Sequence, residues 1–405
     1  MLLKRSIRFL KNSFFYRTLP FRSPTSIAID KLLVGNMHGF PSQEWFQRTD
    51  DRTRLSMRLL DSPYVSFLRE VDANPQILSE DEMLRETSYF RMADLCRQHM
   101  GWYFAATTPH QICQWMRQYY RLYKTDRGLS LAEPVEGRGH SKDGSLPIVN
   151  RIADSDLYEV EDGHHRLAIM LAKGHQHAQV IVRGRKRTFL QKELLRVNQT
   201  HGKELYQPVP LPEVQTWSLI RKCEDRFALI YRFIEQQQLN QGLTVVDCAC
   251  SYGWFVKRFK DRGFRVLGLD KDATAINLGR LIYDLEESDF MNVRLEDFLF
   301  TNKNTFDIVL CLSVLHHYAL GKETASPEEI VEGLSRITKS FLFLDTGQAY
   351  EQWFCKKLPE WNTDFIRDFL LKHGIFKEVI PLGSDTDNVG RYSDNYGRIL
   401  FACKK

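Results

Sequence analysis

A chain of 405 residues exceeds what one ordinary hydrophobic core organises, so two or three domains are expected. Its 43% hydrophobic and 26% charged residues describe a globular protein, and a net charge of only +5 gives no overall basic field of the kind that gathers nucleic acid. The eight cysteines are scattered: Cys248 and Cys250 would share a strand face, but no second pair stands at a metal-ligand spacing, so neither a disulfide framework nor a metal site is expected and a cytoplasmic location fits.

Met1 to Ile29 carries no acidic residue, while Lys4, Arg5, Arg8, Lys11, Arg17 and Arg22 are basic. Leu3, Ile7, Leu10 and Phe14 recur at helical spacing, which predicts a short helix with one apolar and one cationic face. That pattern suits peripheral contact with an anionic membrane surface, or docking of the apolar face on the chain itself; an organellar presequence would look similar. Charges interrupt every apolar run here, which excludes a spanning helix. Residues 30–126 read as a helical region, punctuated by Pro41, Pro63 and Pro75, whose dense aromatic residues (among them Tyr103, Phe104, Trp115 and Tyr119) read as core.

Residues 127–200 begin with a polar, glycine-rich loop, 136–144, and continue as a compact α/β segment. Pro147 to Asn150 reads as a strand, and a second strand runs from Leu157 into Asp162-Gly163, where a helix starts near His164. Asp162, Gly163, His164, His165 and Arg166 therefore sit at a helix N-terminus, which favours an anion such as phosphate. The Asp-Gly-His-His-Arg run resembles the ParB-like fold shared by chromosome-partitioning proteins, sulfiredoxin and free-serine kinases. The resemblance implies a nucleotide or phosphorylated acceptor here, and as an alternative activity a nucleotide-dependent kinase or switch, alone or beside a second activity; a turn that is only structural remains open. No helix-turn-helix pattern follows, so DNA binding is not expected. Arg183, Arg185, Lys186 and Arg187 form a basic cluster that is either a solvated face or an aid to phosphate or membrane contact. Residues 201–240 are a linker and connecting helix: three prolines in 207–212 forbid regular structure, and a helix is expected from Trp217 to Gln238.

From residue 241 to 405 strands alternate with helices, which predicts a doubly wound, mostly parallel α/β sheet closed by an antiparallel last strand. The expected strands are Val245–Cys250, Arg265–Asp270, Asn292–Glu296, Phe306–Leu312 and Phe341–Asp345, with a terminal hairpin from Glu378 to Cys403. Ligands in such sheets bind at the carboxyl ends of the strands, where the order reverses. Ala249, Ser251 and Gly253 make a small-residue turn there, allowing close backbone approach. Asp270 follows Asp247 at a distance suited to a nucleoside ribose, and Asp297 is placed to accept from an adenine amino group. These residues resemble the class I methyltransferase motifs, in Val246 to Phe255, Asp270, Glu296-Asp297 and Phe306 to Val314. The usual glycine-rich turn keeps only its last glycine. The resemblance implies S-adenosylmethionine as cofactor, held by Asp247, Ala249, Ser251, Gly253, Asp270, Asp297 and Ser313. A nicotinamide-binding sheet, the main competitor, needs a three-glycine cradle that is missing.

Ser313 to Tyr318 follows the fourth strand, where a transferred methyl should meet its acceptor. His316 or His317 can serve as general base for oxygen methylation, or can merely line the pocket. The Ser-Val-Leu-His-His element and the Gly397 to Ala402 ending are similar to methyltransferases of bacterial surface polysaccharides and their lipid-linked intermediates, which implies a glycan or small-molecule acceptor. The tetrapeptide used on exocyclic amines of nucleic acid is missing from the fourth strand, so nucleic acid is not the expected partner. The oligomeric state is not legible.

Overall fold

A computed structural model describes residues 23–34, 55–104, 106–125, 146–198, 202–239, 241–351, 354–386 and 397–405. The expected amphipathic helix over residues 3–14, the loop 136–144 and most of the turn-rich tail before Gly397 lie outside the described residues. The chain divides into two compact units: Met1–Gln191 with Leu211–Val214, and Lys192–Pro210 with Gln215–Lys405.

The first unit contains β1 (Thr25–Ala28), β2 (Leu32–Val34), β3 (Met57–Arg58), α1 (Pro63–Ala73), α2 (Asp81–Arg85), α3 (Ser88–Met100), α4 (Pro109–Lys124), β4 (Ile148–Ile152), β5 (Tyr158–Asp162), α5 (His164–Ala172) and β6 (His177–Lys186). Its six-stranded mixed sheet runs β1-β6-β4-β5-β2-β3. Residues 25–58, read from the sequence as tail and helical region, supply three of those strands. An apolar run as short as Leu32-Leu33-Val34, all buried, has no room to display a period, which is why it was not read as a strand. The helices of 63–124 and the strands of 148–182 share one core, in which Phe67, Tyr89 and Met116 join Val149, Val160 and Val180. The unit therefore runs straight through the boundary expected near residue 126.

Helix α6 (Phe189–Val197) spans the boundary at Gln191, and the second unit continues with β7 (Glu204–Leu205), β8 (Ser218–Leu219) and α7 (Glu224–Gln236). The large sheet follows: β9 (Thr244–Cys248), α8 (Trp254–Lys260), β10 (Arg265–Asp270), α9 (Ala273–Tyr283), β11 (Phe290–Asn292), α10 (Leu295–Thr301), β12 (Phe306–Leu312), α11 (Leu315–Ala319), α12 (Pro327–Ile337), β13 (Thr338–Asp345), α13 (Thr363–His373), β14 (Glu378–Ser384) and β15 (Ile399–Lys404). Its order is β11-β10-β9-β12-β13-β15-β14; only β15 is antiparallel to its neighbours, inserted between β13 and β14. The doubly wound architecture expected from the alternation is thus present. Strand order reverses between β9 and β12, which fixes the crevice at the C-terminal ends of these two strands.

Two local expectations need correction. Cys250 lies beyond β9, in the turn, rather than in the strand. The third strand ends at Asn292, and Glu296 and Asp297 begin helix α10 instead of closing a strand. Leu295, Phe298 and Leu299 bury one face at helical spacing, and two carboxylates suit the first turn of a helix.

Candidate functional site

The turn from β9 into α8 alternates its handedness. Ala249, Ser251 and Gly253 have φ of 61°, 55° and 83°, all in the left-handed region. Only glycine takes that conformation freely; for Ala249 and Ser251 it costs roughly 1–2 kcal/mol each. The turn is held open by its surroundings. Ser251 N donates to Asp270 Oδ2 at 2.8 Å, and Cys250 N to Leu269 O at 2.8 Å. Beneath it, helix α9 offers Gly279, where a Cβ would lie 1.9 Å from the Tyr252 carbonyl oxygen. The sequence reading missed Gln207, at the start of the proline-rich stretch. Its buried amide donates to Cys250 O at 3.1 Å and accepts from Trp254 N at 3.2 Å, clamping both ends of the turn. Tyr252 adds a hydrogen bond to Asn198 Oδ1 at 2.8 Å.

The carboxylates are placed unequally. Asp247 is 2% exposed, and its Oδ2 finds no hydrogen-bond partner among the described residues. Burial, reinforced by the nearby Asp270 charge, pushes its carboxyl up to about 8. Asp270 closes β10; burial raises it too, opposed by the amides of Asp272 and Ser251 that bond it. Asp297 is exposed in the first turn of α10. Its neighbour Glu296 turns inward and accepts from Tyr318 Oη at 2.7 Å. The turn 249–253, Asp247 and Asp270 thus come together at the strand ends, with Asp297 on the helix that follows β11.

After β12, Ser313 adopts φ 59° and is buried. Its hydroxyl donates to Asp345 Oδ1 at 2.8 Å and accepts from Arg226 at 3.3 Å and Arg398 at 3.2 Å, so it is engaged by the chain itself. Arg226 also donates to Asp345 Oδ2 at 2.9 Å, and Arg398 clamps Glu351 through two bonds of 2.7 Å. Burial would raise Asp345, but Arg226 and Arg398 hold it below the usual carboxylate range. This buried charge network, which patterning did not reveal, fixes the entry to helix α11, which carries the two histidines. His316 is buried, and its Nδ1 accepts from Gly347 N at 3.3 Å, which leaves its proton on Nε2. His317 is partly exposed, its ring 4.4 Å from that of His316. Burial, with Lys322 adding to it, lowers His317 to about 4; burial lowers His316 well below the ordinary imidazole value.

In the first unit, the strand–turn–helix expected around Asp162 is present, with Gly163 at φ 92°. Its side chains turn inward. His164 is buried and stacks on Tyr64, while His165 Nε2 bonds Tyr89 Oη at 2.6 Å. Tyr103 and Trp115 donate to the same phenol oxygen at 2.9 Å each, so its own proton goes to His165. Arg166 pairs with Asp162 at 3.3 Å. The basic cluster downstream is likewise matched: Arg183 pairs with Glu161, Arg185 and Arg187 with Asp154, and Lys186 with Glu159. No helix among the described residues is long and apolar enough to cross a membrane.

A family described as "Methyltransferase domain" matches residues 246–341. A ubiquinone biosynthesis O-methyltransferase of Hahella chejuensis (strain KCTC 2396) is 27% identical over 146 residues, 32% of this chain and 60% of that protein. Another, of Rhodopseudomonas palustris (strain TIE-1), is 29% identical over 136 residues, 30% of this chain and 52% of its own. The chain thus spans little more than half the length of these curated relatives. Among solved structures, WbdD aligns over 52% of this chain and 46% of its own at 20% identity, with a TM-score of 0.41. Magnesium protoporphyrin IX methyltransferase from Synechocystis PCC 6803 with bound SAM aligns over 45% and 79%, at 19% identity and a TM-score of 0.34. The residues that match a methyltransferase domain, 246–341, lie within the second unit.

Proposed function

We propose that the chain is an S-adenosylmethionine-dependent methyltransferase that methylates a hydroxyl of a carbohydrate or lipid-linked glycan. The observation that carries this reading is the left-handed turn 249–253 standing beside Asp247 and Asp270 at the point where strand order reverses. The chemistry of the residues fits the cofactor. Asp270 offers a carboxylate to ribose hydroxyls, the turn exposes backbone with little side chain in the way, and Asp247 offers a buried carboxylate oxygen to a cation. When bound, S-adenosylmethionine supplies an electrophilic methyl group.

The chain's part is positioning and proton removal. A hydroxyl becomes strongly acidic as its oxygen bonds carbon, so a neutral imidazole nearby suffices to take the proton. His317 suits that role, because Nδ1 of His316 is already committed to Gly347. Oxygen as the acceptor atom agrees with the names of the curated relatives. The glycan rests on the likeness of the Ser313 to His317 and Gly397 to Ala402 elements to polysaccharide methyltransferases. The Asp162 to Arg166 turn supports no second reading, since its imidazoles serve the aromatic interior of their own unit.

Titration calorimetry with S-adenosylmethionine tests the cofactor. Asp270→Ala should weaken binding by about 1.5–3 kcal/mol, roughly 10- to 150-fold, and unchanged affinity would sink the assignment. For the base, His317→Ala should lower kcat about 100- to 10,000-fold and leave cofactor affinity unaltered. Because His317 titrates near 4, kcat should stay flat as pH falls from 8 to 5 rather than dropping near 6.5.

A further inference from the structure

The buried Asp247 carboxyl is the one group at the site whose environment and proposed task conflict. The parallel register sets Asp247 beside Gly268 on β10 and Leu310 on β12, so its flanking residues are one without a side chain and one apolar. Asp270 lies two residues beyond Gly268 and presents its side chain to the same face of the sheet. The thiols of Cys248 on its own strand, Cys250 in the turn and Cys311 on β12 are near, all pushed up by burial and protonated at neutral pH. One cation, Arg226 on α7, draws it downward, but that guanidinium is bonded to Asp345 and Ser313. A bare carboxylate with an unmatched oxygen, against a second carboxylate and out of water, is costly; the neutral acid is not.

We propose that binding of the positively charged cofactor displaces a proton from Asp247, so that loading the site and ionising this carboxyl are a single event. The inference rests on the cofactor reading above. The step is balanced: the Asp247 O–H bond breaks, its electron pair stays on the carboxylate facing the incoming positive charge, and the proton passes to buffer. With Asp247 titrating near 8 in the free protein, about 0.9 proton should leave per cofactor bound at pH 7. Affinity should accordingly rise about tenfold per pH unit between 6 and 7.5.

Calorimetry in buffers of different ionisation enthalpy counts the protons. Release close to one in the full chain, abolished in Asp247→Asn, is the expected result. Binding without release, or full release persisting in Asp247→Asn, would overturn the inference while leaving the cofactor reading intact. Should that variant fail to fold, the infrared difference spectrum on binding in Glu213→Gln, which lacks the other carboxyl held near neutrality, decides: a protonated-carboxyl band should be lost at pH 7, and its retention refutes the proposal. S-adenosylhomocysteine lacks the sulfonium and keeps the ammonium. Equal release with it assigns the displacing charge to the ammonium, and reduced release assigns it to the sulfonium; both support the mechanism. No binding even at pH 9, where Asp247 is already ionised, strikes down the cofactor reading and this inference together.

Discussion

Ala249 and Ser251 hold a conformation that their side chains disfavour. Glycine at position 249 removes the Cβ conflict, so Ala249→Gly should stabilise the protein by about 1 kcal/mol in urea unfolding, against the usual loss for an alanine-to-glycine change. Gln207 acts in the opposite sense. Its amide closes two backbone groups of the turn, so Gln207→Ala should weaken cofactor binding about tenfold through loss of a defined turn, a change calorimetry would detect. The contrast shows what could be read beforehand. Asp247, Asp270 and the small residues announce themselves by type and spacing. Gln207 lies some forty residues upstream among prolines, and Arg226, Glu351 and Arg398 are separated widely along the chain, so no local pattern marks them. Ser313 was expected at the cofactor, but its hydroxyl is taken by Asp345 and two arginines.

Among elements, helix α9 bears most directly on the site, since it meets the turn at a residue without a side chain. Gly279→Ala would force a methyl group into the Tyr252 carbonyl, where no side-chain rotation gives relief. The expected outcome is a loss of about 1–3 kcal/mol in stability together with impaired cofactor binding, measured by denaturant unfolding and calorimetry. Long elements were legible at this scale: β10 and β12 coincide with the expected spans. Short ones were not. In Asn292-Val-Arg-Leu-Glu296 alternation suggests a strand, yet the burial of Leu295, Phe298 and Leu299 belongs to a helix, and three residues of β11 suffice to extend the sheet. Likewise β1–β3 were lost within a segment whose helices dominate its pattern.

For the whole molecule, the four residues Leu211–Val214 belong to the first unit although the chain on either side belongs to the second. Glu213 lies within them, buried, with its carbonyl accepting from Gln191 Nε2 at 2.9 Å. Burial, aided by Glu159, pushes the Glu213 carboxyl up to about 7. Between its unfolded value near 4.5 and 7 the folded chain binds the extra proton, so stability falls as pH rises through that window. Glu213→Gln should match the parent near pH 4 and exceed it at pH 8 by on the order of 3 kcal/mol, read from urea midpoints at the two pH values.

The same four residues bear on how this polypeptide can be cut. Severing it at Gln191 would split helix α6 and leave the amino-terminal fragment without the backbone that receives the Gln191 amide. A cut after Val214 keeps that piece but strips Gln207 from the turn 249–253. Neither half, expressed alone, inherits everything it uses, which gives a chain assembled from two bodies a reason to be made in one stroke.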